Sequence, residues 1–317
     1  MVSSHWHNLT ASLLLLVSLA SATASAQTAT LPIWSHLNEF ERFAVHEAPL
    51  ARSGDADALL ALYMLSSGDR RTMNDYRDAQ LRINDWIEES QLSDDPRKIS
   101  RNANKLFVTM FAEFFGRGLN EQSIPHNYRE QQSQLSVIFD KGEFNCISSS
   151  LLYIVAARRL GLEVEGVILP SHAFLQLQLD GEIIELETTS MNGFGLEHDA
   201  SFYDTSSNIW FSERELAPPS FEQYQQRRIV SPYQLGLFNM INQHTSDERM
   251  SFGDRMRLAE LRSHFLPADE DARKARLSYY YQEFFELQKR QDFPTAARLS
   301  CPTVFSGMRA TSASPWT

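Results

Sequence analysis

Apolar residues recur at helical spacing from about residue 37 to 120, the mark of helices that each bury one stripe. Leu59, Leu60, Leu62, Tyr63 and Leu65 follow a Gly54-Asp55 start, and Leu81, Ile83, Trp86 and Ile87 predict a charged helix ending near Glu89. Asp94-Asp95-Pro96 opens a third helix, with proline in the first turn and acids at the positive end of the dipole. It carries Leu106, Phe107, Met110, Phe111, Phe114 and Phe115 towards Gly116, an aromatic stripe at core spacing.

The pattern changes over 144–189, which predicts one helix followed by strands. In FNCISSSLLYIVAARRLG (144–161), Asn145 is an N-cap, and Ile147, Leu151, Leu152, Ile154 and Val155 give an apolar face. Arg158 and Arg159 occupy the last turn, and Gly161 supplies the left-handed end. LEVEGVIL (162–169) alternates as a strand. HAFLQLQL (172–179) alternates strictly, with Ala173, Leu175, Leu177 and Leu179 on one face and His172, Phe174, Gln176 and Gln178 on the other. Asp180-Gly181 predicts a two-residue type I′ turn, which sets Leu179 opposite Glu182, Leu177 opposite Ile184 and Leu175 opposite Leu186. Pro218-Pro219 and Ser231-Pro232 punctuate the next stretch, and helices follow around 233–243, 247–265 and 270–290.

The chain therefore reads as α+β: a helical N-terminal region (27–120), a small core of one helix packed on an antiparallel sheet (121–210), a helical C-terminal region (211–299), and a Ser/Thr/Pro-rich disordered tail (300–317). YYYQEFFELQKRQDFPTAARL (279–299) resembles half of a tetratricopeptide repeat, without a 34-residue period to extend it. Residues 11–19 (ASLLLLVSL) are too short to span a bilayer as a helix. Ala24-Ser25-Ala26 follows as a signal-peptidase pattern, so 1–26 reads as a cleaved signal peptide and the protein as periplasmic or secreted, without stable membrane insertion.

Lys and Arg number 29 against 40 Asp and Glu, a net charge of −11. With no basic run, a nucleic-acid or anionic-membrane surface is not expected. The two cysteines, Cys146 and Cys301, cannot build a disulfide framework or a multi-thiolate zinc site. His36, His46, His126, His198, His244 and His264 show no paired metal spacing, so no cofactor or metal is expected. His198-Asp199 reads as a solvated loop, and Tyr203 and Trp210 as packing residues. Ser148, Ser149 and Ser150 lack the G-x-S-x-G context of a serine nucleophile and read as first-turn polar residues.

Cys146 falls in the first turn of its helix, where unpaired backbone N–H groups favour a thiolate. The hairpin register puts Glu187 on the face of His172 and diagonal to it, roughly 7–8 Å away by backbone, which a Glu carboxylate and an imidazole can bridge. Glu185 shares that face farther from His172 and ranks second. A cysteine at a helix start with a carboxylate-oriented histidine on a neighbouring sheet is the arrangement of a cysteine nucleophile. An oxyanion would meet the Cys146 backbone N–H and one further donor, for which Asn145 and Gln134 are candidates. A Cys146–Cys301 disulfide would block such a nucleophile.

The run FNCISSSLLYIVAARRLGLEVEGVILPSHAFLQLQLDGEIIELETTSMNG resembles the transglutaminase-like superfamily, whose fold is papain-like. The shared features are a Cys opening a helix that ends in R-R-L-G-L, then a strand, H-A-F, and a hairpin closed by an acid. The resemblance implies Cys146 as nucleophile, His172 as base and Glu187 as third member. Here Glu stands where Asp is usual, one methylene farther out. P-S-H-A-F and E-T-T-S-M-N-G look closer to bacterial members with helical or tetratricopeptide flanks than to animal enzymes. The implied activity is a cysteine hydrolase or acyltransferase acting on an amide of a peptide, protein or peptidoglycan stem. A non-catalytic scaffold that holds a protein partner on its helical flanks is the alternative.

Overall fold

The computed structural model describes residues 37–115, 130–170, 172–203, 219–244, 251–267 and 270–292. Helix α1 (Glu39–Ser53) opens on an Asn38 capping box and is stopped by Gly54 at φ 91°. Asp55 then caps α2 (Ala56–Ser66), whose residues from Ala58 onward are all buried. Thr72 caps α3 (Met73–Glu89), which buries Ile83 and Trp86 and leaves Leu81 exposed. Asp95 and Pro96 open only a single 3₁₀ turn, Pro96–Lys98, and the helix proper, α4 (Ile99–Met110), starts after it. A π-turn over Phe111–Phe115 prolongs α4 and keeps Phe111, Phe114 and Phe115 in the core. Gly116, the expected stop, lies outside the described residues.

A 3₁₀ turn (Glu130–Ser133) and α5 (Leu135–Lys141) lead to α6 (Cys146–Arg159). The sequence pattern predicts one apolar face for α6, yet every residue from Ile147 to Ala157 is buried. Helices α2, α3, α4, α5 and the sheet surround it. Its end closes as a Schellman motif: the Gly161 N–H donates to the Arg158 carbonyl and the Leu162 N–H to that of Ala157, with Gly161 at φ 72°. Because Leu162 is used in this closure, the first strand begins at Val164, two residues later than its alternation predicts.

Strands β1 (Val164–Leu169), β2 (His172–Leu179) and β3 (Glu182–Leu186) form an antiparallel sheet. The β2–β3 register is the one the sequence predicts, with Leu175 opposite Leu186 and Leu179 opposite Glu182. Asp180 at φ 51° and Gly181 at φ 86° supply the two positive dihedrals that the turn requires. A short helix α7 (Phe221–Gln225) and a fourth strand β4 (Arg228–Val230) follow, giving the order β3-β2-β1-β4. Both are too short to leave a period in the sequence. Val167, Leu169 and Phe174 cluster with Tyr224.

Pro232 starts α8 (Pro232–His244), which packs on α2, α6 and β1, and α9 (Phe252–Phe265) packs on α8. Arg257 of α9 is buried and joins the Glu41 carboxylate of α1 and the Gly68 carbonyl, tying the two ends of this unit together. Residues 37–266 form one compact unit. Helix α10 (Glu270–Lys289) belongs to a second unit; it exposes Tyr281 and Phe285 four residues apart. Of the stretch 279–299, expected to resemble half of a tetratricopeptide repeat, residues 293–299 lie outside the described residues. No helix among the described residues is long and apolar enough to cross a membrane.

The close approach of α8 depends on Gly236. A Cβ there would stand 2.7 Å from the Tyr63 ring, which is fully buried and held by its hydroxyl on the Pro232 carbonyl at 2.9 Å. Gly236→Ala is therefore expected to destabilise the fold by about 1–3 kcal/mol through overpacking. Urea unfolding checks this, and a midpoint equal to that of the wild type would contradict it.

Candidate active site

The cysteine stands where α6 begins because Asn145 stops the chain in an extended conformation there (φ −134°, ψ −173°). The Asn145 Oδ1 accepts from the backbone N–H groups of Ile147 (2.9 Å) and Ser148 (3.1 Å). The Ser148 hydroxyl accepts from the Asn145 N–H and donates to the Gln132 carbonyl at 2.6 Å. The Asn145 Nδ2 donates to the Ser133 hydroxyl, also at 2.6 Å, so the preceding 3₁₀ turn is sewn to the helix start. The Asn145 cap thus serves the Ile147 and Ser148 N–H groups and not that of Cys146. Cys146 is a free thiol and partly exposed, at the open end of an otherwise buried helix. Cys301 lies outside the described residues.

His172 opens β2, and Glu187 stands one residue past β3, as the register requires. Their side chains meet: His172 Nε2 and Glu187 Oε2 are 2.6 Å apart, with His172 6% and Glu187 1% exposed. His172 also hydrogen-bonds Cys146. With Nε2 taken by Glu187, Nδ1 is the ring nitrogen left for the sulfur.

A tight loop holds the acid. The Glu187 N–H donates to the Gly193 carbonyl at 2.9 Å, and a Cβ on Gly193 would stand 2.0 Å from the Glu187 carbonyl oxygen, so only glycine allows this closure. Thr189 donates both its backbone N–H (3.0 Å) and its hydroxyl to Glu187 Oε1. The Thr188 hydroxyl bonds those of Ser149 (2.8 Å) and Ser150 (2.9 Å). Ser148, Ser149 and Ser150, the polar residues at the start of the helix, are fully buried, and two of them fasten the cysteine helix to the acid loop.

Burial alone would push the His172 imidazole down; the Glu187 carboxylate and Cys146 outweigh that and raise it to about 10. Burial also pushes the Glu187 carboxyl up, but His172 and the Thr189 hydroxyl bring it down to about 2. The pair therefore favours imidazolium and carboxylate together.

Of the second-ranked residues, Glu185 does not reach His172. It receives the Tyr224 hydroxyl at 2.8 Å and pairs with His198 Nδ1 at 2.6 Å. His198, expected in a solvated loop, is 4% exposed and stacks on Phe174 at 4.2 Å. The chain after Gly193 doubles back along β3, with Phe194 bridged to Leu186 and the Gly195 N–H on the Glu185 carbonyl, and this delivers His198 to the sheet. An inward Glu185 in need of a partner was the available signal. Asp199 is exposed and caps the turn at Ser201 and Phe202. Tyr203 packs beside Tyr224 at 5.3 Å. Gln134 precedes α5 without a side-chain bond to it, and Trp210 lies outside the described residues. Among the described residues no three His, Cys, Asp or Glu side chains group to hold a metal.

The signs of the two shifts fix a pH window. His172, raised from 6.5, stabilises the fold fully below that pH and loses its contribution as pH climbs through about 10. Glu187, lowered from 4.5, contributes fully above that pH and loses its contribution as pH falls through about 2. Glu187→Gln is expected to cost about 3 kcal/mol at a pH near 5.5, as for removal of one partner of a buried pair. In urea unfolding the gap to wild type should narrow as the pH approaches 10; a gap constant with pH would contradict the pairing.

No curated protein and no solved structure matches the chain. A family model described as the transglutaminase-like superfamily matches residues 78–212, a span that includes α6, the β1–β3 sheet and the acid loop. The matched span holds Cys146, His172 and Glu187.

Proposed function

We propose that the protein is a cysteine hydrolase or acyltransferase that acts on an amide through a thioester on Cys146. The observation that carries this reading is the meeting of Cys146, from a helix start, with a buried His172–Glu187 pair from the sheet. A transglutaminase-like domain is consistent with cysteine-based acyl transfer or hydrolysis.

In the proposed reaction the Cys146 thiolate attacks the amide carbonyl, and the oxyanion is met by the Cys146 N–H. The C–N bond breaks as the His172 imidazolium gives its proton to the departing amine. Water then attacks the thioester and gives a proton to His172. The C–S bond breaks, releasing the acid and restoring the thiolate–imidazolium pair. Glu187 holds the imidazole in one orientation and supports its charge. Asn145 is occupied in capping, which leaves Gln134 as the better candidate for a second oxyanion donor. Hydrolysis is favoured over transfer because water is the default acceptor. The proposed substrates are a peptide, a protein or a peptidoglycan stem, and the leader-like residues 1–26 support an exported enzyme meeting them outside the cytoplasm.

Iodoacetamide alkylation at a pH near 6, followed by mass mapping, tests the site. Cys146 is expected to react rapidly in wild type, and His172→Ala is expected to slow it by about 10²-fold or more. Turnover of an amide substrate should be lost in Cys146→Ala. An unreactive Cys146, or partner binding retained by Cys146→Ala with no turnover by wild type, would overturn the catalytic reading in favour of a scaffold.

A further inference from the structure

The sheet carries a second histidine–glutamate pair whose chemistry the proposed reaction does not use. His198 Nδ1 lies 2.6 Å from Glu185 Oε2, and the other Glu185 oxygen accepts from the Tyr224 hydroxyl at 2.8 Å. Arg227 stands 3.8 Å from that same oxygen with its guanidinium over the Tyr224 ring. The His198 side chain is completely buried, yet its Nε2 has no hydrogen-bond partner among the described residues. A buried nitrogen left unpaired is expensive, so its retention calls for a reason.

The stacking supplies one. The Phe174 ring faces both imidazoles, 4.2 Å from His198 with the planes 20° apart and 6.2 Å from His172 with the planes 29° apart. Tyr224 packs on both rings, 5.7 Å from His198 and 6.3 Å from Phe174. The groups around His198 are Glu185 from β3, Glu187 and Tyr203 from the loop after it, and Tyr224 and Arg227 from α7 and its exit, while His172 shares the Phe174 contact. His198 is also one of the groups that holds the Glu187 carboxyl down.

We propose that His198 is a positioning residue for the reacting site: clamped by Glu185, it fixes the Phe174 ring and, through that ring, the orientation of His172 towards Cys146. Two contributions follow from one placement. The ring packing limits rotation of His172 about its bond to the backbone. The imidazole near Glu187 favours the carboxylate, on which the charged state of His172 depends. The inference rests on the cysteine-nucleophile reading and deepens it.

His198→Phe separates this role from simple filling, since phenylalanine keeps the ring and its bulk but loses the bond to Glu185 and the polar atom near Glu187. The test is the pH profile of Cys146 alkylation by iodoacetamide, with near-UV circular dichroism as the check of folding. His198→Phe is expected to react about tenfold more slowly near pH 6, with the acid limb of the profile displaced upward by about one unit. Glu185→Gln, which keeps the shape, should displace it in the same direction by less, and decides the matter if His198→Phe loses its near-UV signal. A wild-type profile in the folded variant, while His172→Ala has lost fast alkylation, overturns the positioning role and leaves the nucleophile reading intact. An unreactive Cys146 in the wild-type protein removes both.

Discussion

A helix buried along its whole length can offer chemistry only from an end, and the packing around α6 turns that constraint into a site. From Ile147 to Ala157 no residue reaches solvent, while Cys146 at the first turn remains partly exposed. The far end is fixed by Arg158 and Arg159. Arg158 fills the space over Gly54, where a Cβ would meet its guanidinium at 2.1 Å, and Arg159 bonds Asn84 at 2.7 Å and pairs with Asp57. The near end is fixed by Asn145 and the 3₁₀ turn before it. The sulfur is thus located by contacts that reach back to Gly54, Asp57 and Asn84 in the N-terminal helical region.

The sheet supplies the opposite requirement, a charged pair kept out of water. His172 and Glu187 are buried, so each depends on the other and on Thr189 for its ionised form. Their geometry comes from a hairpin whose turn permits one register. The hydroxyl triangle of Ser149, Ser150 and Thr188 then ties that hairpin's exit to the cysteine helix. Substituting any of these hydroxyls would disturb the distance between sulfur and imidazole before it disturbed the core.

Much of this was legible because the decisive features are local. Strict alternation from His172 to Leu179 and the Asp180-Gly181 turn fix which residues share a face, and Glu187 is carried to His172 by that register. Asn145 before Cys146 marks a helix start by its capping chemistry. Features that depend on distant or irregular chain were hidden. The all-round burial of α6 was masked by the serines, whose partners on Thr188 lie about forty residues on. His198 arrives through an irregular loop with no periodicity, and β4, with three residues, pairs Val230 opposite Gly166 in a contact no local pattern announces.

The central claim is that His172 is held as an imidazolium by Glu187 beside the Cys146 sulfur. Nitrogen NMR of ring-labelled histidine in the intact protein reads this directly. The account predicts that both ring nitrogens of His172 remain protonated at a pH near 8, and that Cys146→Ala lowers the midpoint of their titration. An imidazole that titrates at or below the ordinary histidine value of about 6.5 would contradict it.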